Sequence, residues 1–212
     1  PAVGGPGGGR LPRRPLTVPP LIVFDELDST NAEARRRAEA GARAPVWPMA
    51  RRQTAGIGRR GRSWDGGEGN LTATLLLTLD KGPQELAQLA FVAGLAAWTA
   101  IAAYVPPEAV TLKWPNDVLI DGRKACGMLI EAGEAWAAVG VGINLASHPV
   151  AVERPATALV NHMSHHVRHV PSPEEALAVL AEAFDAQLRL WLTEGFAAIR
   201  QAWLARAGGM GG

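Results

Sequence analysis

An α+β domain, built on a mixed and largely antiparallel sheet with helices mainly on one face, follows from three features of this 212-residue chain. Between residues 110 and 145 the runs VTLKW, DVLIDGRKACGMLIE and WAAVGVGINL succeed one another with no helix between them. Asp121-Gly122 and Gly133-Glu134 join these runs as hairpin turns do, which makes this half antiparallel. Helical signals come instead in blocks, at 28–42, 83–104 and 172–207.

In chain order, LIVFDEL (21–27) is a first strand, and DSTNAEARRRAEAGA after it starts a helix. Thr30 and Glu33 have capping-box spacing there, and Gly41 is the stop. VWPMARR (46–52) is a short strand in which Pro48 lacks an amide donor, so an edge position is expected. NLTATLLLTLD (70–80) is a third strand. Pro83, with Glu85 behind it, opens an alanine-rich helix that is expected to run to Tyr104. Ser172 caps a long helix with Pro173 in its first turn and Gly195 at its end, and FAAIRQAWLARA forms another. Nothing repeats, and no linker divides residues 21–207; the Gly/Pro-rich residues 1–20 and the glycines of 208–212 read as tails.

With 48% hydrophobic residues, the chain can bury one substantial core. The single cysteine, Cys126, excludes an internal disulfide and a zinc template and points to a reducing, cytoplasmic setting. The histidines of NHMSHHVRHV lack interleaved Cys or carboxylate and make no metal template. Residues 1–20 contain no apolar h-region, and no apolar run reaches the roughly twenty uncharged residues of a membrane span. The closest, Leu86 to Tyr104, suits a buried helix.

A net charge of +1 argues against nucleic-acid binding through the overall field, yet the charge is uneven. Six arginines and no acid lie between Gly41 and Trp64. Within that stretch QTAGIGRRGRSW (53–64) combines glycines with guanidinium forks, the chemistry of an anion-binding loop, although a solvated turn would carry the same residues. The chain has 18 arginines and only three lysines. Two of these, Lys113 and Lys124, lie in LKWPNDVLIDGRKACG (112–127) and bracket its Trp-Pro-Asn-Asp turn, so a compact ammonium has been kept twice where Arg is the default. LDSTN offers hydroxyl and amide groups at a helix start, as caps or as ligand contacts, and VGVGIN suits a strand approached closely by a ligand or another backbone. Ser-His-Asp, HExxH, CxxC and paired-carboxylate patterns are missing, which points to chemistry by placement and charge neutralisation.

DSTN, QTAGIGRRGRSW, KWPNDVL, GRKACGMLIE and VGVGIN together resemble, in order and spacing, the catalytic domain of biotin protein ligases. The resemblance spans 22–207 and implies a class II synthetase-like biotin/lipoate ligase fold. It implies a reaction in which biotin and MgATP give biotinyl-5′-AMP and a lysine of a carboxylase carrier domain then takes the biotin. By the same resemblance Ser29, Thr30, Asn31, Gln53, Gly56, Ile57, Gly58, Arg59 and Lys124 would contact biotin. Arg59, Arg62, Trp64, Lys113, Asn116, Asp117, Lys124 and Asn144 would contact ATP, with Asp117 near Mg²⁺. Lys124, Arg59 and Lys113 would be catalytic. Glycines 56, 58 and 61 would make the arginine loop a mobile lid. Ile57 stands where the family usually has arginine, so that position acts either through its main chain or with one guanidinium fewer. The family's C-terminal β-barrel and winged-helix module are not evident, and without the latter no nucleic-acid partner is expected; the hydropathy gives no reason to expect a membrane partner, and a homodimer is left open. The rival readings are a lipoate or octanoate ligase of the same fold and a biotin-binding homologue without turnover.

Overall fold

The computed structural model describes residues 19–43, 45–150 and 155–208, so most of both expected tails lies outside the described residues. One seven-stranded sheet runs in the order β1-β2-β3-β7-β6-β5-β4. Strand β1 (Leu21–Leu27) lies parallel to β2 (Trp47–Gln53), with helix α1 (Thr30–Glu39) as the crossover that a parallel pair requires. The other pairings are antiparallel, joining β3 (Leu71–Thr78), β7 (Trp136–Ile143), β6 (Arg123–Gly133), β5 (Asp117–Ile120) and β4 (Val110–Lys113). The α+β class and the mixed sheet are as the sequence implies.

Alternation along the central strands gives the sheet two unlike faces. Leu71, Ala73, Leu75 and Leu77 of β3, with Ala137, Val139, Val141 and Ile143 of β7, point into the main core. Helices α3 (Leu89–Ala102), α4 (Pro173–Glu194) and α5 (Phe196–Leu204) close that core. Fully buried Trp47, Phe184, Met49 and the leucines around them each contribute about 1.5–3 kcal/mol of burial. The opposite face carries only a small apolar cluster, in which Ala34 and Ala38 of α1 cover Leu76 and Ala138. Beyond it this face presents Thr72, Thr74, Gly140 and Gly142, and here the sheet stays open.

Several local expectations change. Strand β2 is interior, between β1 and β3. Trp47 N donates to Pro20 O on the β1 side and Val46 N to Leu76 O on the β3 side, so the donor Pro48 lacks would face β3. The β2–β3 ladder is correspondingly sparse, with Met49–Ala73 its registered pair. The helix expected from Pro83 to Tyr104 is two helices, α2 (Pro83–Leu86) and α3. Bonds from Gln88 N to Glu85 O and from Ala90 N to Ala87 O tighten the chain to a three-residue spacing and interrupt the α ladder between them. Residues 83–102 form the one stretch, among the described residues, long and apolar enough to cross a membrane, yet α3 buries Leu89, Val92, Leu95 and Ile101 in the core. The β6–β7 turn is one residue later than expected, at Glu134 and Ala135, and Ala135 has φ of 59°. The β5–β6 turn is where Asp121-Gly122 placed it, with φ of 47° and 75°.

The start of α1 also differs. Ser29, not Thr30, is the N-cap residue, and its hydroxyl makes no capping bond. Glu33 turns instead to Arg36 and Arg37. Asp28 fixes this end: it accepts the Ser29 N–H at 2.7 Å and a two-pronged Arg36 contact at 2.8 and 2.9 Å. The Arg36 bond, then the Ser29 bond, hold the Asp28 carboxyl down to about 2. A depressed carboxylate stabilises the fold above its unfolded value and loses that contribution as pH falls through the folded one. Asp28→Asn should therefore cost about 0.5–1 kcal/mol near pH 7, a value discounted for exposure, and almost nothing near pH 2. Urea unfolding of both proteins at the two pH values checks this.

Candidate active site

A cavity of about 750 Å³ opens on the α1 face of the sheet. Its floor is bare backbone at three strand residues that have no side chain. At Gly140 a Cβ would collide with the Asn31 amide, and at Gly142 with the Trp64 indole. At Gly127 it would come within 3.0 Å of the same indole and 3.2 Å of the Lys124 ammonium. The Gly alternation of VGVGIN is thus explained by close approach, from side chains of the chain itself.

Residues 53–64 form a closed turn over this floor. Trp64 N donates to Gly56 O at 2.8 Å and Gly58 N to Arg62 O at 2.7 Å, with Ile57 bridged to Ser63. Arg60 and Gly61 take positive φ of 60° and 70° at its tip. At Gly56 the missing side chain serves close packing, since a Cβ there would meet Trp64 O and the Gln53 amide. Ile57 is 44% exposed on the cavity lip. Arg59 reaches Asn116 Oδ1 at 3.5 Å, joining the turn to the WPND segment, and Arg62 lines the same space. Of the basic stretch, Arg51 meets Asp25 and Glu174 and Arg52 meets Glu26, so its anionic partners are in part internal.

Lys124 enters the cavity through a β-bulge. Pairing runs Val118–Cys126 and then Leu119–Lys124, which leaves Ala125 as the extra residue. Strict alternation from Gly127 would aim residue 124 into the core; the bulge turns it to the open face and sends both Ala125 and Cys126 inward. Burial pushes the Cys126 thiol far up, so it is an inert packing group. Lys124 Nζ lies 2.7 Å from Asp117 Oδ1, an ion pair out of hydrogen-bonding line, and 5.6 Å from the Trp64 ring centroid. Lys113, paired with Asp117 across β4 and β5, lines the same cavity. The two rare lysines and the arginine turn share one space.

Ser29, Thr30, Asn31 and Gln53 line another part of it. Gln53 Oε1 accepts the Thr30 N–H at 2.8 Å, which caps α1 from a neighbouring strand. Thr74, fully buried, lies 2.8 Å from the Thr30 hydroxyl and donates to Asn31 Oδ1 at 2.7 Å. Asn31 Nδ2 donates to Glu131 at 2.8 Å. The sequence reading missed Thr74 and Glu131; the Thr72–Thr74 alternation inside an otherwise apolar strand was the available signal.

Asn116 Nδ2 donates to Met128 O and Asn144 Nδ2 to Thr157 O, so both side chains are held rigidly. Three buried atoms of this region have no hydrogen-bond partner among the described residues: Asn144 Oδ1, Trp64 Nε1 and Asp117 Oδ1, the last of which faces the Lys124 ammonium as an ion pair. Such atoms are costly unless a ligand completes them. Asn70, which opens β3, is structural: its Oδ1 accepts the N–H groups of Leu145, Ala146 and Ser147. Asp65 and Asp117 are the carboxylates of the lining. Among the described residues no cluster of three or more His, Cys, Asp or Glu could hold a metal; His162 meets Asp121 and Thr157 instead.

Comparison with known proteins identifies the family to which this fold belongs. A model of the Biotin/lipoate A/B protein ligase family matches residues 23–145. A Biotin--[acetyl-CoA-carboxylase] ligase of Paracoccus denitrificans is 45% identical over 197 residues, 89% of this chain and 81% of that protein. One of Mycobacterium tuberculosis is 38% identical over 66% of this chain, which spans 55% of its length. Among solved structures, the biotin protein ligase from Aquifex aeolicus in complex with biotin and ATP superposes with a TM-score of 0.73 at 28% identity, covering 89% of this chain and 78% of that one. The chain belongs to the biotin/lipoate A/B protein ligase family.

Proposed function

We propose that the chain is an ATP-dependent biotin protein ligase, forming biotinyl-5′-AMP and transferring the biotinyl group to a lysine of a carboxylase carrier domain, in the cytoplasm. The observation that carries this reading is the Lys124 ammonium, turned by a bulge into a cavity lined by both the Thr30–Asn31–Gln53 polar group and the Trp64–Asn144 pair with its unfilled hydrogen-bonding atoms. The first group suits a compact, fully hydrogen-bonded head such as a ureido ring. The second suits a nucleotide, with the Trp64 indole for stacking and the unfilled Asn144 Oδ1 for an N–H donor.

In the first step a carboxylate oxygen of biotin bonds to the α-phosphorus of ATP while the bond to pyrophosphate breaks. Both reactants are anions, so the barrier is set by repulsion and by charge developing on the phosphoryl oxygens. Lys124 faces that charge, steadied by Asp117; Lys113, Arg59 and Arg62 add positive potential around it. In the second step the carrier's lysine amine attacks the anhydride carbonyl, forming the amide and releasing AMP and a proton. Asp117 and Asp65 do not build a protein cage for Mg²⁺, and Asp117 already faces Lys124. Asp117 would be the residue to hold an ion brought in with the nucleotide, and such an ion would supply neutralisation of phosphate charge. The closed turn with Ile57 on its lip shields the reacting atoms from water.

Pyrophosphate release on mixing the protein with biotin and MgATP, followed by a mass gain of one biotinyl group on a carrier-domain lysine, is the expected result. Turnover with lipoate or octanoate in place of biotin would support the first rival reading, and biotin binding with no pyrophosphate the second. Lys124→Ala should lower the rate of pyrophosphate release by about 10²–10³-fold with an unchanged melting curve; a near-normal rate would remove Lys124 from its assigned role. Ile57→Arg should leave the loss of biotinyl-AMP to solvent within about twofold of the parent rate, because the residue's fixed contacts are main-chain ones. A markedly slower leak, followed by quench-flow, would show that side-chain charge at this position matters.

A further inference from the structure

We propose that Glu131, through Asn31 and Thr74, is a positioning residue that sets the hydrogen-bonding polarity of Thr30 and so selects a ligand presenting an N–H at that end of the cavity. The inference rests on the proposed biotin ligase function, whose ureido ring is such a ligand. It begins from a count of protons along a chain of oxygens. Asn31 Oδ1 and Thr74 Oγ1 are 2.7 Å apart, Thr74 Oγ1 and Thr30 Oγ1 2.8 Å, and Thr30 Oγ1 and Gln53 Oε1 3.1 Å. These three contacts share only two hydroxyl protons, because amide oxygens carry none.

Both amides are fixed in direction. Gln53 Oε1 faces Thr30 because it accepts that residue's backbone N–H at 2.8 Å. Asn31 turns its nitrogen to the Glu131 carboxylate, an acceptor at 2.8 Å, and to Leu129 O at 3.4 Å, so its oxygen must face Thr74. Glu131 is itself approached by Arg35 at 3.9 Å. With Asn31 so oriented, the Thr74 proton goes to Asn31, and the Thr30 hydroxyl, which could donate to either neighbour, gives its proton to the nearer Thr74 oxygen at 2.8 Å rather than to Gln53 Oε1 at 3.1 Å. The contact left bare is Thr30 to Gln53, the longest of the three and the one that lines the cavity. Thr30 is thereby an acceptor toward the cavity, beside a second acceptor. A ligand N–H laid against this pair supplies the missing proton, whereas a carbonyl there would face two lone pairs. Glu131 and Thr74 lie outside the cavity lining, so both act through residues that touch the ligand.

Replacing the carboxylate by an amide removes the direction and keeps the shape, since a glutamine at 131 can donate to a reversed Asn31. Glu131→Gln and Thr74→Val should each raise the KM for biotin about tenfold while kcat and the KM for ATP stay within about twofold. The double variant should be no worse than the poorer single one, because both changes break one chain. Calorimetric titration with biotin alone should show the same loss in Kd. Unchanged biotin affinity in Glu131→Gln, additive losses in the double variant, or equal losses toward ATP would each overturn the inference. A parent protein that binds no biotin would overturn the proposed substrate, and with it this inference; a parent that binds while Glu131→Gln binds equally well overturns the inference alone.

Discussion

The absence of side chains at three positions of the sheet is the constraint on which this site depends. Gly127, Gly140 and Gly142 lie on the α1 face of β6 and β7, and each is occupied from above by a side chain from a distant segment. Asn31 comes from the start of α1 and Trp64 from the end of the arginine turn. Both lie almost on the backbone. A Cβ at Gly140 or Gly142 would lift its occupant away from the floor, and with it the helix start or turn that carries it. A strand interior is a poor place for glycine by entropy alone, a cost of about 0.5–1 kcal/mol relative to alanine. The sheet accepts that cost three times in one patch, which is intelligible only if the close approach matters more.

The charge arrangement follows from the same region. The bulge at Ala125 sits two residues from Gly127 and reverses the alternation of β6, so that an ammonium faces the cavity at a position where the pattern would bury it. Once turned, Lys124 is bounded by Asp117 on one side and by the Trp64 ring on the other. Lys124 places a compact point charge beside Gly127, where a Cβ would come within 3.2 Å of its ammonium. The arginines, by contrast, sit on the exposed turn, where reach and forked donors serve better. The division between three lysines and eighteen arginines therefore carries positional meaning at two of the three lysines.

Much of this was legible in the sequence. Strand β1, the Ser172 cap, the Asp121-Gly122 turn and the antiparallel second half are where composition and turn chemistry put them, because each is decided by local residues. The cavity does bring together Ser29, Thr30, Asn31, Gln53, Ile57, Gly58, Arg59, Arg62, Trp64, Lys113, Asn116, Asp117, Lys124 and Asn144, whereas Gly56, packed against Trp64 O and Gln53, is outside its lining. What stayed hidden depends on partners far away in sequence. Pro48 marks a donor missing on one side only, and which side faces a neighbour is a property of the sheet. Thr30 and Glu33 have the spacing of a capping box, yet Gln53 and Asp28 reach the helix start first. The roles of Thr74 and Glu131 appear only when β3, β6 and α1 are stacked, since neither belongs to a motif. The bulge leaves no sequence mark beyond Lys-Ala-Cys-Gly, which by itself reads as plain strand.

If the glycine floor seats two different ligand-holding side chains, it should separate the two ligands. Calorimetric titration of Gly140→Ala and Gly142→Ala with biotin and with ATP, each protein first checked for a native melting curve, is the direct measurement. Gly140→Ala, which displaces Asn31, should weaken biotin at least about tenfold and spare ATP, and Gly142→Ala, which displaces Trp64, should do the reverse. Equal losses of both ligands in both variants, or no loss in either, would contradict the account.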